Sequence, residues 1–214
     1  MEISWESLEK GWQASFNKGW QAYMAGNPPI GAAILDKNNK IISFGRHRIL
    51  DRVGEIGSLH GTILSHATIN TILQAGDIPR ETAGDYTLYS TIEPCSLCFG
   101  AAVMGRIKHI KYAATDPADG ACDANRRSGF GEKKGILIEG PFPGIQELLV
   151  ALLTCYKYEQ GHKSEKSVML TEWGLDCPSG FQAGLQLFGT DALRDFAKRG
   201  VTVNEVINYI GKIL

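Results

Sequence analysis

The sequence lacks the cysteines of a disulfide framework. It has five, an odd number without regular spacing, which argues against a stapled secreted scaffold. No stretch approaches the roughly 20 consecutive apolar residues of a membrane span. The opening Met1-Glu2-Ile3-Ser4-Trp5-Glu6 has no basic run followed by an apolar one. No secretory leader is therefore expected, and a reducing cytoplasm is the simplest location. A charge excess is also missing. Lys and Arg number 22 against 23 Asp and Glu, a net of about −1. No overall field draws the chain to RNA, DNA or an anionic membrane, so nucleic acid is not the expected partner. The local basic run from Arg126-Arg127 to Lys133-Lys134 reads as a solvated loop. There is no internal repeat and no low-complexity segment.

The chain does have enough apolar residues for a core: 43% are hydrophobic and only 21% charged. Its 214 residues allow one sizeable domain with an appendage. Residues 4 to 25 predict a helix, with Ser4 as N-cap and an apolar stripe of Trp5, Leu8, Trp12, Phe16, Trp20 and Tyr23. Gly26-Asn27-Pro28-Pro29 ends it. Gly31 to Asp36 and Lys40 to Gly45 predict a hairpin, and residues 46 to 63 a loop able to wall a pocket. Ser65 is the expected N-cap of a helix carrying His66 in its first turn and closing at Gly76. Tyr86 to Thr91 predicts a strand. Pro94 suits the first position of the next helix, which Gly105 ends. Strands follow at 107 to 112 and 135 to 139, separated by a glycine-rich loop at 116 to 134. From Pro143 on the pattern is mostly helical: 144 to 159, about 180 to 188, 191 to 199 and 202 to 213. The order up to residue 140 is that of a layered α/β domain.

The chemistry-bearing residues cluster at 65 to 98. His66, Cys95 and Cys98 each stand near the start of an expected helix. Cysteines three apart share one face of a first turn. A helix N-terminus lowers a thiol's pKa and favours the metal-binding thiolate. One histidine and two cysteines make a three-ligand zinc set that leaves a fourth position for water. The cysteine pair alone would also suit a redox motif or a zinc ribbon. The upstream histidine argues against the first, and the lack of a second cysteine pair against the other.

These residues carry a family likeness. The chain resembles the cytidine deaminase-like zinc hydrolases, in particular the branch of guanine deaminases and tRNA adenosine deaminases. The likeness covers residues 4 to about 140. It rests on Pro29-Ile30-Gly31-Ala32, on His66-Ala67, on Thr91-Ile92-Glu93-Pro94-Cys95-Ser96-Leu97-Cys98 and on Asp116 to Ala121. It implies a three-layer fold: a five-stranded mixed sheet flanked by helices, here with a C-terminal helical extension. The expected division is a zinc deaminase-like domain at 1–142 and an extension at 143–214, packed on the domain or in a dimer interface. The resemblance also implies zinc held by His66, Cys95 and Cys98, and substrate contacts at His47, Ala67, Ile30 and Asp116. Its chemistry is hydrolytic deamination of a purine-like base or nucleoside by zinc-activated water, with a glutamate moving the protons. A homodimer is the default assembly.

Two positions depart from the pattern. Thr68 stands where the family's H-x-E motif has glutamate, and its hydroxyl can bond a water but cannot shuttle protons near neutral pH. His47, in Gly45-Arg46-His47-Arg48, stands where related enzymes usually have asparagine. Glu93 matches a glutamate the family already carries, so it is no free replacement. Glu55, His60, Asp116 and Asp119 are the other acid/base candidates. The alternative to an active deaminase is a catalytically inactive zinc-binding protein that holds a base-like ligand or a protein partner.

Overall fold

A computed structural model describes residues 3–54 and 56–214. Two strands and three helices set the site: β1 (Gly31–Asp36), β3 (Tyr86–Ile92), α1 (Lys10–Met24), α2 (Ala67–Ala75) and α3 (Ser96–Met104). The sheet is completed by β2 (Ile41–Arg46), β4 (His109–Ala114) and β5 (Leu137–Glu139), in the order β2-β1-β3-β4-β5. β1 pairs antiparallel with both neighbours, while β3-β4 and β4-β5 are parallel. The sheet is therefore mixed, as the family resemblance implied.

β1 reads Gly-Ala-Ala-Ile-Leu because both faces of the sheet are covered, and a doubly covered strand is apolar throughout rather than alternating. Successive side chains still point to opposite faces. Ala32 and Ile34 join Ala67, Leu88, Phe99, Ala102 and Ile110 under α2 and α3. Ala33 and Leu35 join Trp12, Phe16, Tyr89 and Leu148 on the other face. That second face is covered by α1 and by α6 (Ile145–Glu159). Residues Leu148 to Tyr156 are all buried, so α6 is enclosed on every side. It lies against the sheet, against α8 (Pro178–Gly189) and near α10 (Val203–Ile213). The C-terminal helices therefore share one hydrophobic cluster with the N-terminal helix and the sheet. Gly184 of α8 lets α6 approach: a Cβ there would stand 2.5 Å from the Thr154 side chain and 2.7 Å from the Ala151 carbonyl.

Some sequence boundaries move. The first helix begins at Lys10, and residues 5–7 form a 3-10 turn. Tertiary bonds account for this. The Trp5 amide donates to Asn208 and its carbonyl accepts from Gln13, which pulls the segment off the helix line. Two short helices, α4 (Cys122–Arg127) and α5 (Phe130–Lys133), occupy the expected loop at 116 to 134. The sequence reading did not single out α7 (Val168–Asp176), and α9 spans Ala192–Arg199. Among the described residues no helix is long and apolar enough to cross a membrane.

Gly45 ties the fold to the site. A Cβ at this position would lie 2.6 Å from the Thr71 amide and 2.7 Å from the Ala67 carbonyl, because α2 rests directly on β2. Gly45→Ala is expected to destabilise the protein by about 1–3 kcal/mol, the usual cost of overpacking. Since His66 caps the displaced helix, zinc affinity should fall with it. Denaturant unfolding alongside a zinc titration tests this, and an alanine variant of unchanged stability would show that α2 has room to shift.

Candidate metal centre

The ends of two helices converge here. His66 is the N-cap of α2 with extended backbone, one residue outside the helix rather than inside its first turn. Cys95 is the N-cap of α3, so Pro94 precedes the helix instead of opening it. Cys98 lies three residues on and is buried. The positive end of each helix, with its free amides, favours a thiolate at this spot.

The His66 Nδ1 atom stands 3.6 Å from the Cys95 sulfur and 3.4 Å from the Cys98 sulfur. All three ligand atoms lie within 4.8 Å of one another. Donors at about 2.3 Å (sulfur) and about 2.0–2.1 Å (imidazole nitrogen) around one tetrahedral zinc stand roughly 3.6 Å apart. The donor set and its spacing therefore fit zinc. The Cys98 thiol, bonded to Cys95, holds Cys95 well below the ordinary thiol range, and His66 adds to this. The same bond, together with burial, pushes Cys98 up. Metal binding, which needs both sulfurs as thiolates, would displace the proton held by Cys98. The Ile63 carbonyl accepts a hydrogen bond from the His66 ring, the kind of outer contact that orients a ligand histidine.

The three ligands open onto a cavity of about 240 Å³. Ile30, His47, Ala67, Thr68 and Asp116 line the same cavity, so the structure brings these residues together with the three donors. Thr68 is 3% exposed, and its hydroxyl bonds the Cys98 sulfur. His47 stacks on His66 at 5.1 Å between ring centroids. Burial, then the neighbouring His66, hold its pKa down to about 3, so its imidazole is neutral. Its Nδ1 is buried without a partner among the described residues.

The acid/base candidates separate. Glu93 lines the cavity, but one carboxylate oxygen accepts from the Asp116 amide and the other from the Cys122 amide. It anchors the loop at 116–122 and is not available as a base. Asp116 and Asp119 both reach the cavity. Asp116 accepts from the Ala118 and Asp119 amides through one oxygen, and burial pushes its carboxyl above the usual range. His60 is not among the lining residues. Glu55 lies outside the described residues.

Sequence reasoning missed the wall contributed by the C-terminal part. Leu153, Tyr156 and Lys157 of α6 and Met169 of α7 line the cavity. Their signal was present: Leu153, Tyr156 and Lys157 stand at helical spacing, with a lone lysine ending an apolar run. Which way that stripe faces is a tertiary matter.

The loop after β2 closes another side through Ile49 and Ile63. Asp51 holds it, accepting from Arg46, Arg48 and Asn27. Burial alone would raise the Asp51 carboxyl, but these donors outweigh it and leave the pKa below the ordinary value of 3.8. A carboxyl depressed in the folded state adds stability that is fully present above 3.8 and is lost as pH falls through the folded value. Asp51→Asn should cost about 2 kcal/mol at neutral pH. Its deficit against the parent should shrink as pH falls through the depressed folded-state value of Asp51. Urea unfolding at a series of pH values reads this directly, and a deficit independent of pH would sink the assignment.

A family model, the cytidine and deoxycytidylate deaminase zinc-binding region, matches residues 6–114. The tRNA-specific adenosine deaminase of Rickettsia bellii is 31% identical over 143 residues, covering 59% of this chain and 93% of that protein. The cytosine deaminase of Candida albicans is 28% identical over 102 residues, 48% of this chain. The chain spans 63% of that enzyme's length. Among solved structures, a guanine deaminase from Nitrosomonas europaea superposes with a TM-score of 0.56 at 18% identity, covering 74% of this chain and 87% of that one. At that identity the likeness is one of fold.

Proposed function

The chain belongs to the cytidine and deoxycytidylate deaminase zinc-binding family, and from that premise we propose that it takes a purine-like base or nucleoside into the cavity beside His66, Cys95 and Cys98 for hydrolytic deamination. The observation that carries this reading is three zinc-competent donors opening onto one small, mostly apolar cavity. A bound zinc supplies a water of near-neutral pKa. The chain's own residues do the rest. His66 and the two cysteines fix the metal's position. Ile30, Ala67 and Met169 exclude bulk water from the ring of the ligand. Neutral His47 offers a ring nitrogen to a polar edge of the base.

Thr68 bonds a sulfur and carries no exchangeable carboxyl proton, so turnover as written is slow. The second reading, a catalytically silent protein that holds a base-like ligand, draws on this same residue. A purine is favoured because the named activity of the Rickettsia bellii relative concerns adenosine. A free base or nucleoside is favoured over tRNA by the net charge near −1 and by a cavity smaller than the roughly 300–1,000 Å³ of drug-sized pockets. A homodimer is favoured by exposed Leu97 and Met104 on α3, an apolar helix.

Ammonia release by the zinc-loaded protein across guanine, adenine, cytosine and their nucleosides tests the reading. Slow release from one purine supports it. Calorimetric binding of a base without release supports the silent-binder form. Neither binding nor release from the whole panel would overturn both.

A further inference from the structure

Lys157 is the one Lys or Arg among the described residues lining the zinc cavity. It stands in the last turn of α6, beyond the 6–114 segment that matches the family. Its side chain is part-buried, and no carboxylate or other acceptor bonds it among the described residues. Two carboxylates of the same cavity, Asp116 and Asp119, act on it through space without pairing with it. Glu93 is already bonded at both oxygens to backbone amides. An ammonium partly removed from water without a bonded partner is poorly solvated, and an acceptor placed beside it is correspondingly favoured. Burial holding the Lys157 pKa below its ordinary value agrees with that.

The neighbours narrow the ligand. His47 lines the same space, and its buried Nδ1 has no hydrogen-bond partner among the described residues. One oxygen of Asp116 is taken by two amides, and the carboxylate faces the same space as the lysine. A cation and a carboxylate on one cavity wall match an edge that presents an oxygen beside an N–H.

Resting on the deaminase reading above, we propose that Lys157 is a specificity-determining residue that selects amino heterocycles bearing an exocyclic oxygen with full or partial negative charge. Two sources share this chemistry, a ring lactam and a ring carboxylate.

Two matched pairs separate them. Guanine and 2,6-diaminopurine differ in the lactam, and 5-carboxycytosine and cytosine differ in the carboxylate. Their affinities for the zinc-loaded full chain would be measured by calorimetry. The same would be done for Lys157→Met, which keeps the apolar stem, and for Lys157→Arg, which keeps the charge. A second neutral variant, Lys157→Gln, covers the case in which the methionine form does not fold. We expect the parent to prefer the oxygen-bearing member of one pair by about tenfold or more, the scale of one charge-assisted hydrogen bond. The pair showing the preference identifies the oxygen. Lys157→Met should erase the preference and Lys157→Arg should retain most of it. Equal weakening of both members would give Lys157 a merely structural role and overturn the proposal. Binding by the parent without any preference would overturn it and leave the deaminase reading standing. No binding of any of the four would overturn both.

Discussion

Thr68→Glu raises ammonia release from the accepted base by about 10²–10⁴-fold, the range a positioned acid/base contributes. Thr68 is the second residue of α2 and is buried on the cavity wall, two positions from the ligand His66. A carboxylate on that wall would stand beside the ligand His66, where its own oxygens could accept a proton and give it back. The threonine hydroxyl cannot do this near neutral pH. Glu93 cannot substitute, since both its oxygens hold backbone amides. Asp116 and Asp119 are the remaining carboxylates on the cavity; burial raises the Asp116 carboxyl, and one of its oxygens takes no backbone hydrogen bond among the described residues. Asp116→Asn in the parent background separates the two routes. If the parent turns over and Asp116→Asn abolishes it, Asp116 carries the proton, and Thr68→Glu will add little. If the parent is silent and Thr68→Glu is active, the missing glutamate is the whole defect. Silence in both forms, with zinc bound, would mean that the cavity is used for binding alone.

Cys98→Ser reduces bound zinc from about one ion per chain to a small fraction of that, read by metal analysis after dialysis against a weak chelator. Removing an outer-shell partner of a zinc ligand already costs about 10–100-fold in affinity, and losing a thiolate ligand costs more. Cys98 is 4% exposed at the third position of α3, so serine fits its space and the change isolates the donor atom. A bound metal would join the two helix starts through these side chains, so the metal-free protein should also melt earlier than the zinc-loaded one. Full zinc content in Cys98→Ser would place the ion elsewhere and remove the basis of the functional reading.

How much of this was legible in the sequence depended on whether the signal was local. The sheet strands were readable because β1 and β3 are short runs of apolar and β-branched residues ended by turn residues. The zinc ligands were readable because His66 and the Cys95/Cys98 pair each stand at a helix start, a position marked by neighbouring residues. Errors appeared where a tertiary contact outweighed a local preference. Trp5 fits the apolar stripe of α1, yet its bonds to Asn208 and Gln13 hold it in a separate turn. Pro94 suits a first helical position, yet Cys95 takes the extended N-cap conformation and moves the start by two residues.

The sequence alone carried the donor set, the threonine at position 68 and the apolar faces of the C-terminal helices. These are properties of residue type and short spacing, fixed within one or two helical turns. Only the tertiary structure decided which way those faces point. The apolar residues of α6 are buried on every side, so period alone could not orient them. Packing against the sheet turned Leu153, Tyr156 and Lys157 toward a metal site some 60 residues earlier in the chain. It also bound Glu93 to the backbone and left His47 stacked and unpartnered. Such outcomes depend on which distant groups compete for the same volume and the same hydrogen bonds, and no local pattern encodes that competition.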